Sequence, residues 1–435
     1  MSLKEVFSFK PALLVCVCCV FISCSGKVGE SLKLKPVPVQ NNESRLLVAP
    51  QLSAPNSIKS IQLYRGDNKG NPPVLRLNSN EKLVLEFDEL TNLSGQFRIN
   101  FIHYGPDWKR SNIPEEWYLS GINELIFGSG TINKNSNPNY VHYRTTFPNR
   151  QVSFMVSGNY MLLVSDFSSG TPLFSMPFYV TENEGELVSS IETIFNAGRN
   201  NAALDQPFSE YFYPAFVIYP QFDLRYYFVQ NRFWGDAKQT STFDISEEGR
   251  SRFYLKRENA YPANFDFLGL NIRELGITGP EIMDWQPGKV PPLLILRDDF
   301  LNFSADPVPR WRSSFGEPVG DRNARYSNVK FRFNDRGELN NDPEIYLIGD
   351  FNQWNPDENN RMVYDQNLGV WESTQLIKQG LYTYKYVVKE NGQLDELRLG
   401  DSISRVRQEY TSFVYFLDPD YQYYRLLQVQ TFYSD

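Results

Sequence analysis

Two histidines, His103 and His142, are the residues of this chain best suited to acid–base chemistry, and both lie between Phe101 and Val164. A catalytic histidine needs a pKa near neutrality and a partner that orients the ring. Asp107, four residues after His103, could be that partner, so a hydrolase site built on His103 and Asp107 is one alternative. A buried histidine bonded to its surroundings explains the same residues without catalysis, and we favour that interpretation.

Other catalytic and metal-binding chemistry has little support in the sequence. The four cysteines are Cys16, Cys18, Cys19 and Cys24, all within the first 24 residues. The rest of the chain therefore has no thiol for catalysis, zinc binding or a disulfide. The stretches that begin at Asp335 and Asp365 lack the alternating acidic ligands and closing glutamate of a calcium loop, so we predict turns there. Asp298 and Asp299 are adjacent, and neighbouring side chains of a strand face opposite sides. We therefore expect no cofactor, metal or catalytic residue.

The N-terminal segment has the features of an export signal. Residues 1–23 contain an apolar run, Ala12–Ile22, that is shorter than the roughly 20 residues needed to cross a bilayer, which indicates a signal peptide. Phe21-Ile-Ser before Cys24 is similar to a bacterial lipobox, so we expect Cys24 to be lipidated; a cleaved, soluble periplasmic protein is the alternative. Residues 24–50 are polar and interrupted by proline, which predicts a lipid-attached tether.

The composition predicts a mostly β protein. The chain has 32 Phe, 26 Tyr and 7 Trp, with 27 Gly and 27 Pro dispersed along its 435 residues. Aromatic residues suit a half-buried pleated surface, and frequent turn residues separate short strands. Only short segments such as Glu186–Phe195 are candidate helices. The formal net charge of −8 gives no electrostatic basis for binding nucleic acid.

Alternating apolar residues predict tandem antiparallel β-sandwich domains. In the first domain, predicted over residues 51–183, the candidate strands are Ile58–Tyr64, Leu83–Phe87, Phe97–Tyr104, Val152–Met155, Tyr160–Val164 and Phe178–Val180. A middle β domain is predicted over residues 184–305. An immunoglobulin-like β-sandwich is predicted over residues 306–435.

Seven short motifs in the first domain occur in the order found in the type IX secretion system plug family of Bacteroidota. They are Leu85-Glu-Phe-Asp-Glu-Leu, Ile102-His-Tyr-Gly-Pro-Asp-Trp, Tyr118-Leu-Ser-Gly, Val141-His-Tyr-Arg, Phe147-Pro-Asn, Ser157-Gly-Asn-Tyr and Pro177-Phe-Tyr-Val. The chain resembles that family as a divergent member, because Tyr104, Gly105 and Pro106 replace the usual cysteine and Asn-Ala. The framework positions that this resemblance implies are His103, Asp107, Trp108, His142, Tyr143, Asn149, Gly158, Asn159 and Tyr160.

The resemblance implies a non-enzymatic outer-membrane lipoprotein of the secretion system. Its expected partner is the outer-membrane translocon β-barrel, whose periplasmic mouth the family is thought to plug when idle. The segment Ser25-Gly-Lys-Val-Gly-Glu lacks the acidic run associated with surface export, which favours the periplasmic face.

The last domain is also similar to immunoglobulin-like glycogen-binding modules, through Gly349-Asp-Phe-Asn-Gln-Trp and Tyr384-Lys-Tyr. In those modules exposed tryptophans and a lysine bind the sugar, and the matching positions here are Trp354, Trp371 and Lys385. A carbohydrate-binding outer-membrane lipoprotein is therefore the alternative function. It requires these three side chains to share one exposed patch.

Overall fold

The computed structural model describes residues 48–198, 202–275, 279, 281–300, 324–337, 339, 343–390, 393–395, 397–399 and 406–434. The predicted signal peptide, Cys24 and all of the tether except residues 48–50 lie outside the described residues. Within the described ranges the chain forms 29 strands and two four-residue helices, which confirms the mostly β prediction.

Residues 58–181 form two facing sheets around one core. Their elements in chain order are β1 (Ile58–Arg65), β2 (Val74–Arg76), β3 (Leu83–Glu89), β4 (Phe97–Tyr104), α1 (Glu115–Tyr118), β5 (Leu119–Gly121), β6 (Glu124–Phe127), β7 (Thr131–Asn133), β8 (Tyr140–Phe147), β9 (Val152–Phe154), β10 (Gly158–Asp166) and β11 (Pro172–Thr181). The sheets have the orders β1-β3-β8-β7 and β2-β11-β10-β4-β6. Alternate side chains of both sheets meet between them, where the Phe87 ring stacks on Tyr143 at 5.2 Å and meets Phe97 edge-on at 5.1 Å.

The following residues supply strands of the next two sheets, which we call the middle sheets. Their elements are β12 (Glu186–Ile194), β13 (Leu204–Phe212), α2 (Pro220–Asp223), β14 (Leu224–Gln230), β15 (Lys238–Thr240), β16 (Phe243–Asp244), β17 (Arg250–Tyr254) and β18 (Tyr261–Pro262). One middle sheet has the order β12-β13-β17-β16, and β14 and β15 belong to the other. The prediction of a helix over Glu186–Phe195 was wrong. β12 pairs with β13 along its whole length, from Glu186 opposite Phe212 to Ile194 opposite Leu204, and this pairing outweighs local helix propensity.

A third pair of sheets follows, and then the last two strands of the chain join the sheet of β14. The strands are β19 (Leu268–Asn271), β20 (Ile282–Gln286), β21 (Leu293–Phe300), β22 (Tyr326–Asn334), β23 (Glu344–Gly349), β24 (Val363–Asp365), β25 (Val370–Lys378), β26 (Leu381–Glu390), β27 (Gln393–Asp395), β28 (Glu409–Leu417) and β29 (Tyr424–Tyr433). The sheet β19-β26-β23 packs against β20-β21-β22-β25-β24 around Phe331, Phe333, Tyr384 and Tyr386. Most pairings are antiparallel; β2 with β11 and β21 with β22 are parallel.

The last two strands belong to the middle sheets rather than to the sheets that precede them in sequence. β28 pairs with β14, from Leu224 opposite Phe416 to Gln230 opposite Tyr410, and β29 pairs with β28 to give the order β15-β14-β28-β29. β19–β27 are therefore enclosed in sequence between strands of the middle sheets. The boundaries 51–183, 184–305 and 306–435 were drawn in chain order and stay a prediction.

β10 explains how the first pair of sheets meets the middle sheets. Eight of its nine residues are buried, because both faces of the strand are covered. Tyr160, Leu162 and Val164 lie in the core of the first pair of sheets, whereas Met161 lies in a second cluster with residues of β14, β28 and β29. An apolar run covered on both faces is the expected sequence for such a central strand.

Candidate functional site

His103 is a buried framework residue. Its side chain is 1% exposed, its Nδ1 lies 2.7 Å from Ser111 Oγ, and its Nε2 lies 3.0 Å from the Ser157 carbonyl oxygen. Burial lowers the pKa of His103 to about 4, although the Ser157 carbonyl opposes the shift. The ring is therefore neutral near pH 7 and has both nitrogens occupied.

The structure does not bring His103 and Asp107 together as a catalytic pair. Asp107 is exposed, and its Oδ2 lies 2.8 Å from Lys109 Nζ. The His103 ring is enclosed by Tyr160, with ring centroids 5.0 Å apart, and by Tyr118 and Tyr423, each at 5.8 Å. A closed aromatic neighbourhood of this kind removes the basis for the hydrolase alternative.

Gly158 makes the position of the His103 ring possible. β4 and β10 are paired so that His103 lies opposite Tyr160, which brings the His-Tyr-Gly-Pro and Ser-Gly-Asn-Tyr motifs side by side. Gly158 has a φ of +145°, and a Cβ built on it would lie 2.2 Å from His103 Nε2. Only glycine leaves room for the ring at this place.

Asn159 and Trp108 join the first pair of sheets to the middle sheets. Tyr415 of β28 donates a 2.7 Å hydrogen bond to Asn159 Oδ1, and Asn159 Nδ2 donates to the Gly105 carbonyl oxygen at 3.1 Å. Trp108 Nε1 donates to the Trp234 carbonyl oxygen at 3.1 Å. Two motif residues of the first domain thus lie at an interface within the chain.

A partly buried ion pair strengthens the same interface. Arg425 of β29 binds Glu182 in a fork geometry, with Nε 2.9 Å from Oε1 and Nη2 2.6 Å from Oε2. Ser157 Oγ donates to Glu182 Oε1 at 2.7 Å and accepts a hydrogen bond from the Leu426 backbone N–H at 2.9 Å. The motif serine is therefore one of the groups that hold β29 against the first pair of sheets.

His142 belongs to a second cluster, which faces β22 and β25. Its Nδ1 lies 2.7 Å from Oδ1 of Asp88, a carboxylate that is 0% exposed. Oδ2 of Asp88 accepts hydrogen bonds from Tyr326 at 2.7 Å and from Lys378 Nζ at 2.9 Å. Tyr326 in turn lies 2.7 Å from Ser60 Oγ of β1. These contacts fix the first pair of sheets to the third pair.

The charges of this second cluster depend on one another. Burial alone would raise the pKa of Asp88, but Lys378, His142 and Tyr326 together bring it below its ordinary value. Burial would lower the pKa of Lys378, and Asp88 raises it above its ordinary value. A buried carboxylate and a buried amine therefore stay charged because each compensates the other. Sequence reasoning missed Asp88 and Lys378; the only signal for Asp88 was its place in the Leu-Glu-Phe-Asp-Glu-Leu motif.

The other motif residues hold turns and the sandwich core. Tyr143 donates to Glu89 Oε2 at 3.0 Å and accepts from the Gly95 backbone N–H at 2.8 Å. Asn149 closes the turn before β9 by accepting from the Gln151 backbone N–H at 2.8 Å. Tyr160 stacks on Phe178 with ring centroids 5.2 Å apart.

The sugar-binding patch that the alternative function requires is not present as an exposed surface. Trp354 is 1% exposed, Lys385 4% and Trp371 7%. Trp354 Nε1 donates to Asp350 Oδ1 at 3.0 Å, and Lys385 Nζ lies 3.0 Å from Asp266 Oδ1. The prediction that these three residues bind glycan fails, since packed rings and a paired amine cannot stack on or bond to a sugar.

The remaining acidic candidates are structural. Asp365 Oδ1 accepts backbone N–H groups of its own turn at 2.8 and 3.2 Å, and Asp335 Oδ2 accepts one at 3.2 Å. Asp298 pairs with Arg332 at 3.2 Å, whereas Asp299 accepts hydrogen bonds from Tyr384 at 2.9 Å and Tyr386 at 2.6 Å. Among the described residues no group of three acidic, histidine or cysteine side chains could hold a metal ion.

Large apolar side chains are exposed on α1, on the segment 216–222 and on the turn between β28 and β29, and we call this set the aromatic end. Its members are each 41–70% exposed: Trp117, Phe216, Ile218, Tyr219, Phe222 and Tyr421. Trp117 meets Tyr421 edge-on at 5.2 Å, and the Arg425 guanidinium lies 5.0 Å from the Phe216 ring while it pairs with Asp418 at 3.6 Å. These contacts connect the loop before β14, the turn between β28 and β29, and α1. Exposed large apolar residues that lie near one another commonly mark interaction sites.

Comparison with known proteins gives a family match for part of the chain and a solved structure with a similar fold. Residues 58–182 match the family model described as type 9 secretion system plug protein 1st domain. A hypothetical protein from Parabacteroides merdae ATCC 43184 has a crystal structure similar to this chain, with a TM-score of 0.79, 21% sequence identity, and coverage of 88% of this chain and 99% of that chain. At this identity the likeness shows the fold alone.

Weaker likenesses carry no argument. Trypsin-activated alpha-2-macroglobulin from Escherichia coli has a TM-score of 0.19 and 8% identity, over 88% of this chain and 29% of that chain. No curated protein matches the chain in sequence. The motifs that contain His103, Gly158 and Asn159 thus lie within residues 58–182, the part of the chain that is similar to the type 9 secretion system plug protein first domain.

Proposed function

We propose that this protein is a non-enzymatic component of the type IX secretion system that binds the outer-membrane translocon β-barrel at its periplasmic mouth and closes it when idle. The observation that carries the proposal is the match of residues 58–182 to the plug family. That match supports a role related to type IX secretion at the cell envelope.

The contacts between the sheets suit a plug. A body that closes a pore must resist deformation, and here buried polar contacts lock the first pair of sheets to both others. The Glu182–Arg425 pair and the Asn159–Tyr415 hydrogen bond hold the middle sheets, and the Asp88–Lys378 pair holds the third pair. Partly or fully buried charge pairs fix one relative arrangement, because separating either partner leaves an uncompensated charge.

The aromatic end is the surface that we assign to the barrel. Tyr and Trp are enriched at interface centres, since they bury a large area with few rotatable bonds. Ile218, Tyr219 and Phe222 are the most exposed of its residues, at 70%, 59% and 66%. Burying them against the inner rim of a barrel would release water from all three.

We further propose attachment to the periplasmic face of the outer membrane through lipid on Cys24. In the described part of the chain neither helix is long and apolar enough to cross a membrane. Mass spectrometry of the protein from its native membrane tests the anchor: we expect an N-terminal peptide that begins at an acylated Cys24. An unmodified N-terminus would refute it.

Affinity purification tests the partner. The full-length tagged protein is purified from its native membranes under conditions that preserve large complexes, and co-purified proteins are identified by mass spectrometry. We expect a very large outer-membrane β-barrel protein among them. Its absence in a preparation that retains other envelope complexes would refute the proposal.

The surface is tested by a matched pair of variants. Ile218→Ser with Phe222→Ser removes apolar area from the aromatic end, whereas Val363→Ser with Leu368→Ser does so on the hairpin of β24 and β25, where the side chains are 70% and 55% exposed. We expect the first variant to be as abundant as the wild type but to co-purify without the barrel protein. The second variant should still co-purify with it. Equal recovery of the barrel with both variants would show that another surface binds.

A further inference from the structure

A polar cleft lies where the first pair of sheets meets the third pair. Its volume is about 320 Å³, and its walls come from the residues before β1, from β1 itself, from β11, from β22, from the loop 351–360 and from β25. Nine of its 22 lining residues are Asn or Gln. We call it the amide cleft.

Several amides of the cleft have unused hydrogen-bonding capacity. The side chains of Gln51, Asn56, Asn328, Gln353 and Asn359 make no hydrogen bond to any described residue, although three of the five are partly buried. Each such amide offers two donors and one acceptor oxygen. In contrast, the side chain of Asn352 is hydrogen-bonded within the protein. It accepts from the Gly349 backbone N–H and donates to the Leu347 carbonyl oxygen, both at 2.9 Å.

Two strands that line the cleft have an unpaired edge. Among the described strands β1 pairs only with β3, so its other edge is open. β24 covers β25 only from Val370 to Glu372, which leaves the edge beyond Glu372 without a strand on that side. Both edges contribute to the cleft wall, through Lys59 and Ile61 of β1 and Thr374 and Gln375 of β25. An open edge presents main-chain N–H and C=O groups that an extended chain can pair with.

β1 is also distorted at this point. The register of β1 with β3 shifts between Lys59 and Gln62, and Ser60 there has a φ of +54°. β-bulges redirect side chains and commonly lie beside functional sites. Here the bulge places Lys59 and Ile61 in the cleft wall while the Ser60 hydroxyl reaches Tyr326.

The chemistry of the cleft favours a neutral ligand without sugar rings. Its charged lining residues are Lys59 and Asp357, which balance each other. Glycan sites need an accessible aromatic face, but Phe174 is 1% exposed and Phe351 packs against Phe331 at 5.5 Å. Amides beside open strand edges match the alternating donors and acceptors of a peptide main chain.

We propose that the amide cleft binds an extended, uncharged polypeptide segment of another protein through its main chain, by addition to the edges of β1 and β25. This binding is independent of the aromatic end and of the barrel. The amides at the cleft walls bond to main-chain groups of the segment that neither strand edge pairs with.

Selection of peptides followed by affinity measurement tests the proposal. Phage-displayed random nonapeptides are selected on the full-length protein, and the enriched peptides are synthesised with a fluorescent label. Affinities are compared for the wild type, for Asn328→Leu with Asn359→Leu, and for the control Asn367→Leu in the exposed turn before β25. Each peptide is also made with alternate main-chain nitrogens methylated, which removes N–H donors and leaves the side chains unchanged.

We expect the enriched peptides to bind the double variant about tenfold more weakly than the wild type. They should bind the control variant with wild-type affinity. The methylated peptides should not bind the wild type. The proposal would be overturned if the selection enriched no peptide. It would also be overturned if peptide affinity were unchanged both by the double variant and by methylation. Binding of maltohexaose that the double variant abolishes would overturn it too, because it would assign the cleft to glycan. If the double variant does not fold, the single change Asn359→Leu at an exposed position serves instead.

Discussion

Replacing Gly158 with alanine tests whether His103 and Gly158 form one structural unit. The added Cβ would lie 2.2 Å from His103 Nε2, 3.0 Å from its Cε1 and 3.2 Å from its Cδ2. Atoms in ordinary contact are about 3.5–4.0 Å apart, so the imidazole must move by more than 1 Å. The ring cannot do so without breaking its 2.7 Å contact with Ser111 and its 3.0 Å contact with the Ser157 carbonyl oxygen.

The expected loss of stability follows from these contacts. A non-glycine residue at a φ of +145° costs about 1–3 kcal/mol in backbone strain. Two disrupted hydrogen bonds of a buried group add about 0.5–1.5 kcal/mol each. We therefore expect Gly158→Ala to lower the free energy of unfolding by about 2–6 kcal/mol, measured by urea-induced unfolding followed by circular dichroism.

Gly170→Ala is the matched control. Gly170 also has a positive φ, +69°, but a Cβ there has no atom within 4 Å, so this variant carries strain without collision. The double variant Gly158→Ala with His103→Ala should be less destabilised than the sum of the single changes, because the smaller side chain vacates the space. Additive effects, or equal losses for Gly158→Ala and Gly170→Ala, would refute the reasoning.

Three further outcomes follow from the buried ionisable groups. Lys378→Met should lower the unfolding free energy by about 3–5 kcal/mol, and adding Asp88→Asn should restore part of it; a loss below about 1 kcal/mol in urea unfolding would contradict the role of the pair. Burial raises the pKa of Asp299 to about 6, above its unfolded value of about 4, so the folded state binds this proton more tightly and stability falls as pH rises from about 4 to 6. Asp299→Asn should remove that slope in a pH series of thermal unfolding and stabilise the protein by about 1–2 kcal/mol at pH 7; an unchanged slope would be the contrary result. The ring of His103, with a pKa near 4, should remain neutral at pH 5.5 by nitrogen NMR, and a titration midpoint above 6 would show that the ring is accessible.

The sequence predicted the first domain well, because its signals are local. The candidate strand Phe97–Tyr104 coincides with β4, and the candidate strand Tyr160–Val164 lies within β10. The motifs also singled out Trp108 and Asn159, which the structure places at an interface within the chain. Periodicity and turn chemistry identify strands and special residues, but they do not say which residues from distant segments meet.

The failures share this cause. Lys385 matched an exposed sugar-binding lysine in its local motif, yet its partner Asp266 lies 119 residues earlier in the chain and both are buried. Asp88 and Lys378 are 290 residues apart, so neither local pattern could show that the two charges are buried together. Glu186–Phe195 could be interpreted as a helix until its pairing with β13 was known.

The return of β28 and β29 to the middle sheets has a consequence for how the protein is made. β14 lacks one of its two neighbours, β28, until Glu409–Leu417 has left the ribosome, since Tyr226 lies opposite Val414. The third pair of sheets lies between these two residues in the sequence. Pairing across such a separation carries a large loop-closure entropy, which is reduced when the enclosed segment folds first and brings its ends together. The order of events is therefore set by topology: the enclosed sheets form early, the middle sheets close last, and a chain shortened before β28 cannot complete them.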